Sequence, residues 1–130
     1  MSRIVVAWSP DDYGRAALVH AVAEARLRGL GLLVVNASRG DALVDDRFAT
    51  DDDLAGVRAE LDEAGLAYDV RQSVGADVGD QVLEAAAEVD AALIVLGLRR
   101  RTPVGKLIMG SVAQRILLGA HCPVLAVKSA

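Results

Sequence analysis

The 130 residues are 53% hydrophobic and 25% charged, which excludes intrinsic disorder and suits one domain, residues 1–130, with its own core. A net charge of −4 and only 3% aromatics argue against general nucleic-acid binding and against stacking on single strands. One cysteine, no apolar run long enough to span a bilayer and a start, MSRIVVAW, unlike a signal peptide make the cytoplasm the expected compartment, with no membrane partner.

Ile4 to Trp8 is an apolar run that reads as the first strand. Residues 14–28 then place Ala17, Leu18, Ala21, Val22 and Ala25 on one helical face, with Gly29 where a C-terminal cap belongs. Leu32 to Val35 is the second strand, ending before Asn36. Residues 37–50 form the longest connection, polar and carrying Arg39, Asp41, Asp45, Asp46 and Arg47. Residues 51–64 open with three aspartates, which suit a helix amino end, and close at Gly65. Leu66 to Val74 alternates as a strand, and residues 77–89 return to helical spacing through Val78, Val82, Ala85, Ala86 and Val89. Ala91 to Leu96 is wholly apolar and stops at Gly97. Residues 111–120 form the last helix behind a candidate N-cap, Ser111, and Val124 to Val127 is the last strand.

Strands alternating with helices predict an α/β fold: a three-layer α/β/α sandwich around a five-stranded parallel sheet. Unbroken Val, Ile and Leu runs fit strands covered on both faces. In such sheets ligands bind beyond the carboxyl ends of the strands, where strand order reverses. The segment from Gly97 to Ser111 leaves a buried strand and ends at a helix start. It holds Arg99, Arg100, Arg101 and Lys106 between glycines. Bare amides, guanidinium groups and a helix amino end are chemistry for a phosphate.

Familiar phosphate motifs do not fit. Around Gly105-Lys106 a Walker A loop would need glycine at Arg100 and Ser or Thr at Leu107. Gly29-Leu30-Gly31 precedes a strand instead of following one. No metal-ligand spacing occurs, so no protein-bound metal is expected. His20, His121 and Cys122 lack the neighbours of a nucleophilic triad, so no catalytic residue is assigned and no enzyme activity is expected. Cys122 reads as a structural thiol.

Four stretches carry a resemblance: Ile4 to Asp11 with Ala17-Leu18, Ala91 to Gly97, Leu107 to Ile116, and His121 to Val127. Their order and spacing resemble the universal stress protein family nearly end to end. The resemblance implies strand order 3-2-1-4-5, an adenine-nucleotide alpha-hydrolase-like arrangement and a role in the stress response. It also implies a homodimer through the last strand (Val124, Leu125, Ala126 and Val127). An unpaired strand edge is a physical reason for such pairing.

Nucleotide-binding members of that family carry Gly-x-x-Gly, nine residues (101–109 here), then Gly-Ser/Thr. Gly97, Gly110 and Ser111 match, while Arg100 stands at the second glycine. Ser9 stands where those members have an aspartate after the first strand. The resemblance therefore implies ATP or AMP as ligand. Gly97, Arg99, Gly110 and Ser111 would hold its phosphates, Ala7, Trp8, Ser9 and Val35 would border its base and ribose, and Arg100 and Val112 complete the expected binding set. The residues leave alternatives open. Arg100 either blocks the phosphate path, leaving an interaction module that binds no nucleotide, or forks onto the phosphate itself. Ser111 either caps its helix alone or also meets a phosphate. Ser9 is a turn residue before Pro10 or a ribose contact.

Overall fold

A computed structural model describes residues 2–40, 47–98 and 109–129. Five strands alternate with four helices: β1 (Arg3–Ala7), α1 (Asp12–Arg28), β2 (Gly31–Ser38), α2 (Asp51–Ala64), β3 (Tyr68–Val74), α3 (Val78–Glu88), β4 (Leu93–Leu98), α4 (Ser111–Gly119) and β5 (Val124–Lys128). The sheet is parallel throughout, in the expected order β3-β2-β1-β4-β5. The chain builds outward from β1 to β3, then returns to place β4 on the other side of β1. The reversal of direction therefore lies between β1 and β4.

Alternation along the central strands divides the core into two. Ile4, Val6, Trp8, Leu32, Val34, Leu93 and Val95 face α1 and α2. Val5, Leu33, Val35, Ala37, Ile94 and Leu96 face α3 and α4. This two-residue period lets an unbroken apolar run serve both faces.

Local chemistry sets the helix ends. The Asp11 side chain accepts the Gly14 N–H at the start of α1, and Gly29 closes that helix in the left-handed conformation. Thr50 and Asp53 form a reciprocal capping box on α2, and left-handed Gly65 ends it. Asp77 caps α3 by accepting the Asp80 N–H.

Several boundaries differ from the sequence reading. β2 continues past Val35 to Ser38, because the polar groups of Asn36 and Ser38 find partners inside the fold. β3 and β4 start two residues later than their apolar runs, and β1 ends at Ala7. Ser111 is the first helical residue of α4. Gly110 holds the cap position, with no side-chain cap bond, so Ser111 is not the N-cap.

Candidate functional site

At the carboxyl ends of β1, β2 and β4 the two helical layers separate over a cleft of about 670 Å³. A volume of this size falls within the usual range for small-molecule sites. One bank consists of Ala7, Trp8 and Ser9 with the start of α1 at Asp11, Tyr13 and Gly14. The floor is Val35 and Ala37 of β2 with Leu96, Gly97 and Leu98 of β4. The other bank is Val78 and Val82 of α3 with Gly110, Val112 and Ala113 of α4. Most of the apolar lining belongs to the α3/α4 core.

The first bank is held by short polar contacts. Ser9 Oγ lies 2.9 Å from both carboxylate oxygens of Asp11 and donates to them. Asp11 Oδ1 also accepts the Gly14 N–H at 2.9 Å. Gly14 packs directly under the Ser9 carbonyl, and Gly97 under the Tyr13 carbonyl; a Cβ at either position would collide with backbone. Gly97 is therefore demanded by its contact with α1 whether or not a ligand also approaches it.

A buried hub supports the β2 side. Asn36 is fully buried. Its Nδ2 donates to the Trp8 carbonyl (3.1 Å) and the Arg47 carbonyl (2.6 Å). Its Oδ1 accepts from the Ala49 N–H and from Gln72 Nε2, both at 3.0 Å. Every donor and acceptor of the amide is thus engaged. The hub ties the end of β1, the chain around Arg47 to Ala49, and β3.

Beside the cleft lies a smaller pocket, or lobe, of about 170 Å³, lined among the described residues by Arg39, Arg47, Ala76, Asp77, Val78, Ser111 and Val112. Arg47, Val78 and Val112 line both compartments. Arg115 Nε on α4 donates to Asp80 Oδ1 on α3 at 2.6 Å, joining the helices below the lobe. The hydrogen bond to Asp80 raises the Arg115 pKa.

Of the residues singled out from sequence, Ala7, Trp8, Ser9, Val35, Gly97, Gly110 and Val112 converge on the main cleft, and Ser111 on the smaller lobe. Arg99 and Arg100 lie outside the described residues. Trp8 both packs in the α1/α2 core and borders the cleft. Among the described residues no group of three His, Cys, Asp or Glu side chains could hold a metal ion, and no helix is long and apolar enough to cross a membrane. The sequence reading placed Asp11 and Asn36 in segments that follow strands but gave them no role in the site, and it did not single out Tyr13, Gly14 or Arg47 for it. Asp11 had a signal in its helix-capping position three residues before Gly14, and Asn36 in being polar at the end of a buried run. Arg47 had none.

Comparison with known proteins agrees with this geometry. Residues 1–128 match the sequence pattern of the universal stress protein family. A universal stress protein of Mycolicibacterium smegmatis is 51% identical over 125 residues, 96% of each chain. A universal stress protein structure from Archaeoglobus fulgidus superposes with a TM-score of 0.79 at 34% identity, covering 98% of this chain and 99% of that one. Another from the same organism, in complex with dAMP, gives 0.71 at 28% identity over 98% of both chains.

Proposed function

The chain belongs to the universal stress protein family, and on that premise we propose that its carboxyl-end cleft binds an adenine nucleotide as a regulatory ligand. The observation that carries the reading is the cleft itself. It is about 670 Å³ in volume, lies over the reversal of strand order and is lined by seven of the residues singled out from sequence. Gly97, Gly110, Ser111 and Val112 stand at the phosphates in this reading, with Ala7, Trp8, Ser9 and Val35 at the base and ribose. The dAMP complex of the related Archaeoglobus fulgidus protein supports the ligand class. Asp11, the one carboxylate among the described residues that line the main cleft, is occupied in capping α1, which fits binding better than proton transfer.

Titration calorimetry with AMP and ATP tests this. Saturable heat that disappears in Gly110→Trp supports the reading, because the indole would fill the cleft beside α4. Absence of heat with either nucleotide refutes it. Arg100→Gly decides the role of that arginine: tighter ATP binding marks it as a plug, weaker binding as a contact.

The same reading includes a cytoplasmic homodimer formed through β5. In the described sheet β5 hydrogen-bonds to β4 and ends the strand order, and Val124, Leu125 and Ala126 are only half-buried. Sedimentation velocity should show a dimer that Leu125→Lys converts to monomer.

A further inference from the structure

We propose that Arg115 is a positioning residue for the nucleotide cleft: seated on Gly79 and paired with Asp80, its side chain sets the spacing of α3 and α4, the two helices of one bank. This rests on the nucleotide reading above and deepens it. Val78 and Val82 of α3 and Val112 and Ala113 of α4 line that bank. Gly79 directly follows Val78, and Arg115 lies within one helical turn of Val112 and Ala113. A change of spacing at Arg115 therefore moves wall residues of both helices.

The contact between the two helices is reciprocal. A Cβ at Gly79 would stand 2.7 Å from Arg115 Cγ and 2.9 Å from Arg115 Cβ, so the arginine stem lies directly against the glycine. Four residues further along both helices the roles reverse, and a Cβ at Gly119 would stand 2.7 Å from Leu83 Cδ1. Each helix thus offers a glycine to a larger side chain of the other, which brings the axes close and fixes their register. The head of Arg115 adds direction. Its Nε donates to Asp80 Oδ1 at 2.6 Å, and the charge of Asp77 attracts it as well. Both side chains of that ion pair are about half exposed, and such pairs contribute little alone. The stem on Gly79 is therefore the main determinant of the spacing, and the ion pair holds the stem in place.

The test is calorimetry of the full chain with AMP and ATP, at a temperature where every variant is folded, with urea denaturation alongside. Arg115→Ala should weaken nucleotide binding by about tenfold, while Arg115→Lys, which keeps stem and charge, should stay within about threefold of wild type. Gly79→Ala should also weaken binding about tenfold, although alanine is the better helix former, because its methyl pushes the arginine stem away. In the Arg115→Ala background, where Cγ is gone, the same substitution should cost about threefold or less. Leu61→Ala, in the opposite core, is the control: it should lose stability without losing affinity. An arginine with a structural role alone would behave like that control, and unchanged affinity in Arg115→Ala overturns the proposal. Equal effects of Gly79→Ala in both backgrounds overturn it too, as does Arg115→Lys binding as weakly as Arg115→Ala. Those results leave the nucleotide reading standing, because wild type still binds. No binding of AMP or ATP by wild type removes that reading and this inference with it.

Discussion

One sheet supports two different faces. The α1/α2 face sets Ala17, Ala21 and Ala25 beside Leu18, Leu54, Val57 and Leu61, packed with Ile4, Val6, Leu32 and Val34. The α3/α4 face sets Ala85, Ala86 and Ala113 beside Val78, Val82 and Ile116. Its upper end lines the cleft. Small and large helix side chains are mixed on both faces, so the difference is one of position: Val35, Ala37 and Leu96, at the carboxyl ends of their strands, belong to the second cluster and line the cleft.

The largest effect should come from the hub that joins the α1/α2 face to the cleft. Asn36→Ala would leave the Trp8 and Arg47 carbonyls and the Ala49 N–H without their partner. Unsatisfied buried groups cost about 1–3 kcal/mol each, so a loss of about 4 kcal/mol is expected in urea denaturation. A loss below about 1 kcal/mol would mean that water replaces the amide and that the hub is not structural.

Matched truncations then sharpen the contrast between faces. Leu61→Ala, at a fully buried position of α2, should cost about 3 kcal/mol and leave ligand affinity unchanged. Val82→Ala, on the cleft wall, should cost only about 1.5 kcal/mol but alter ligand affinity. Equal stability losses with equal ligand effects would break the distinction. Gly14→Ala comes next. Helix propensity favours alanine by roughly 1 kcal/mol, but the methyl meets the Ser9 carbonyl, and a net loss of about 1–2 kcal/mol is expected from thermal melts.

Much of this organisation is legible in the sequence because it depends on local pattern. The parallel order follows from alternating elements, and the left-handed caps are glycines where helical periodicity ends, at Gly29 and Gly65. The hub was not legible. Asn36 looks like the end of a strand because its partners at Trp8, Ala49 and Gln72 come from separate elements. Only the fold shows that β2 can carry an amide inside the core. Gly97 was legible as a site residue, but its contact with the Tyr13 carbonyl was not. Ser111 offered a helix-capping residue type, yet the backbone starts α4 with it instead of before it.

The smallest effect concerns Cys122, packed against the α3/α4 core. Burial first, then the negative charge of Asp90, pushes its thiol pKa up, against a hydrogen bond to the Ile94 backbone. The folded chain thus holds this proton at pH values where the unfolded chain releases it. The associated stability is present below the ordinary thiol range and is lost as pH rises through the raised value. Wild type should lose slightly more stability than Cys122→Ser between about pH 8 and pH 10 in matched urea titrations. Identical pH profiles would remove the thiol from the account.

The glycine contacts of α1 carry a mechanical consequence. With Gly14 seated under the Ser9 carbonyl and Gly97 under that of Tyr13, the amino end of α1 is fastened to the sheet on both sides. The glycines of the facing helices meet side chains instead, Gly79 at Arg115 and Gly119 at Leu83. Among the described residues one bank of the cleft therefore rests on rigid backbone and the other on side chains, which yield more readily.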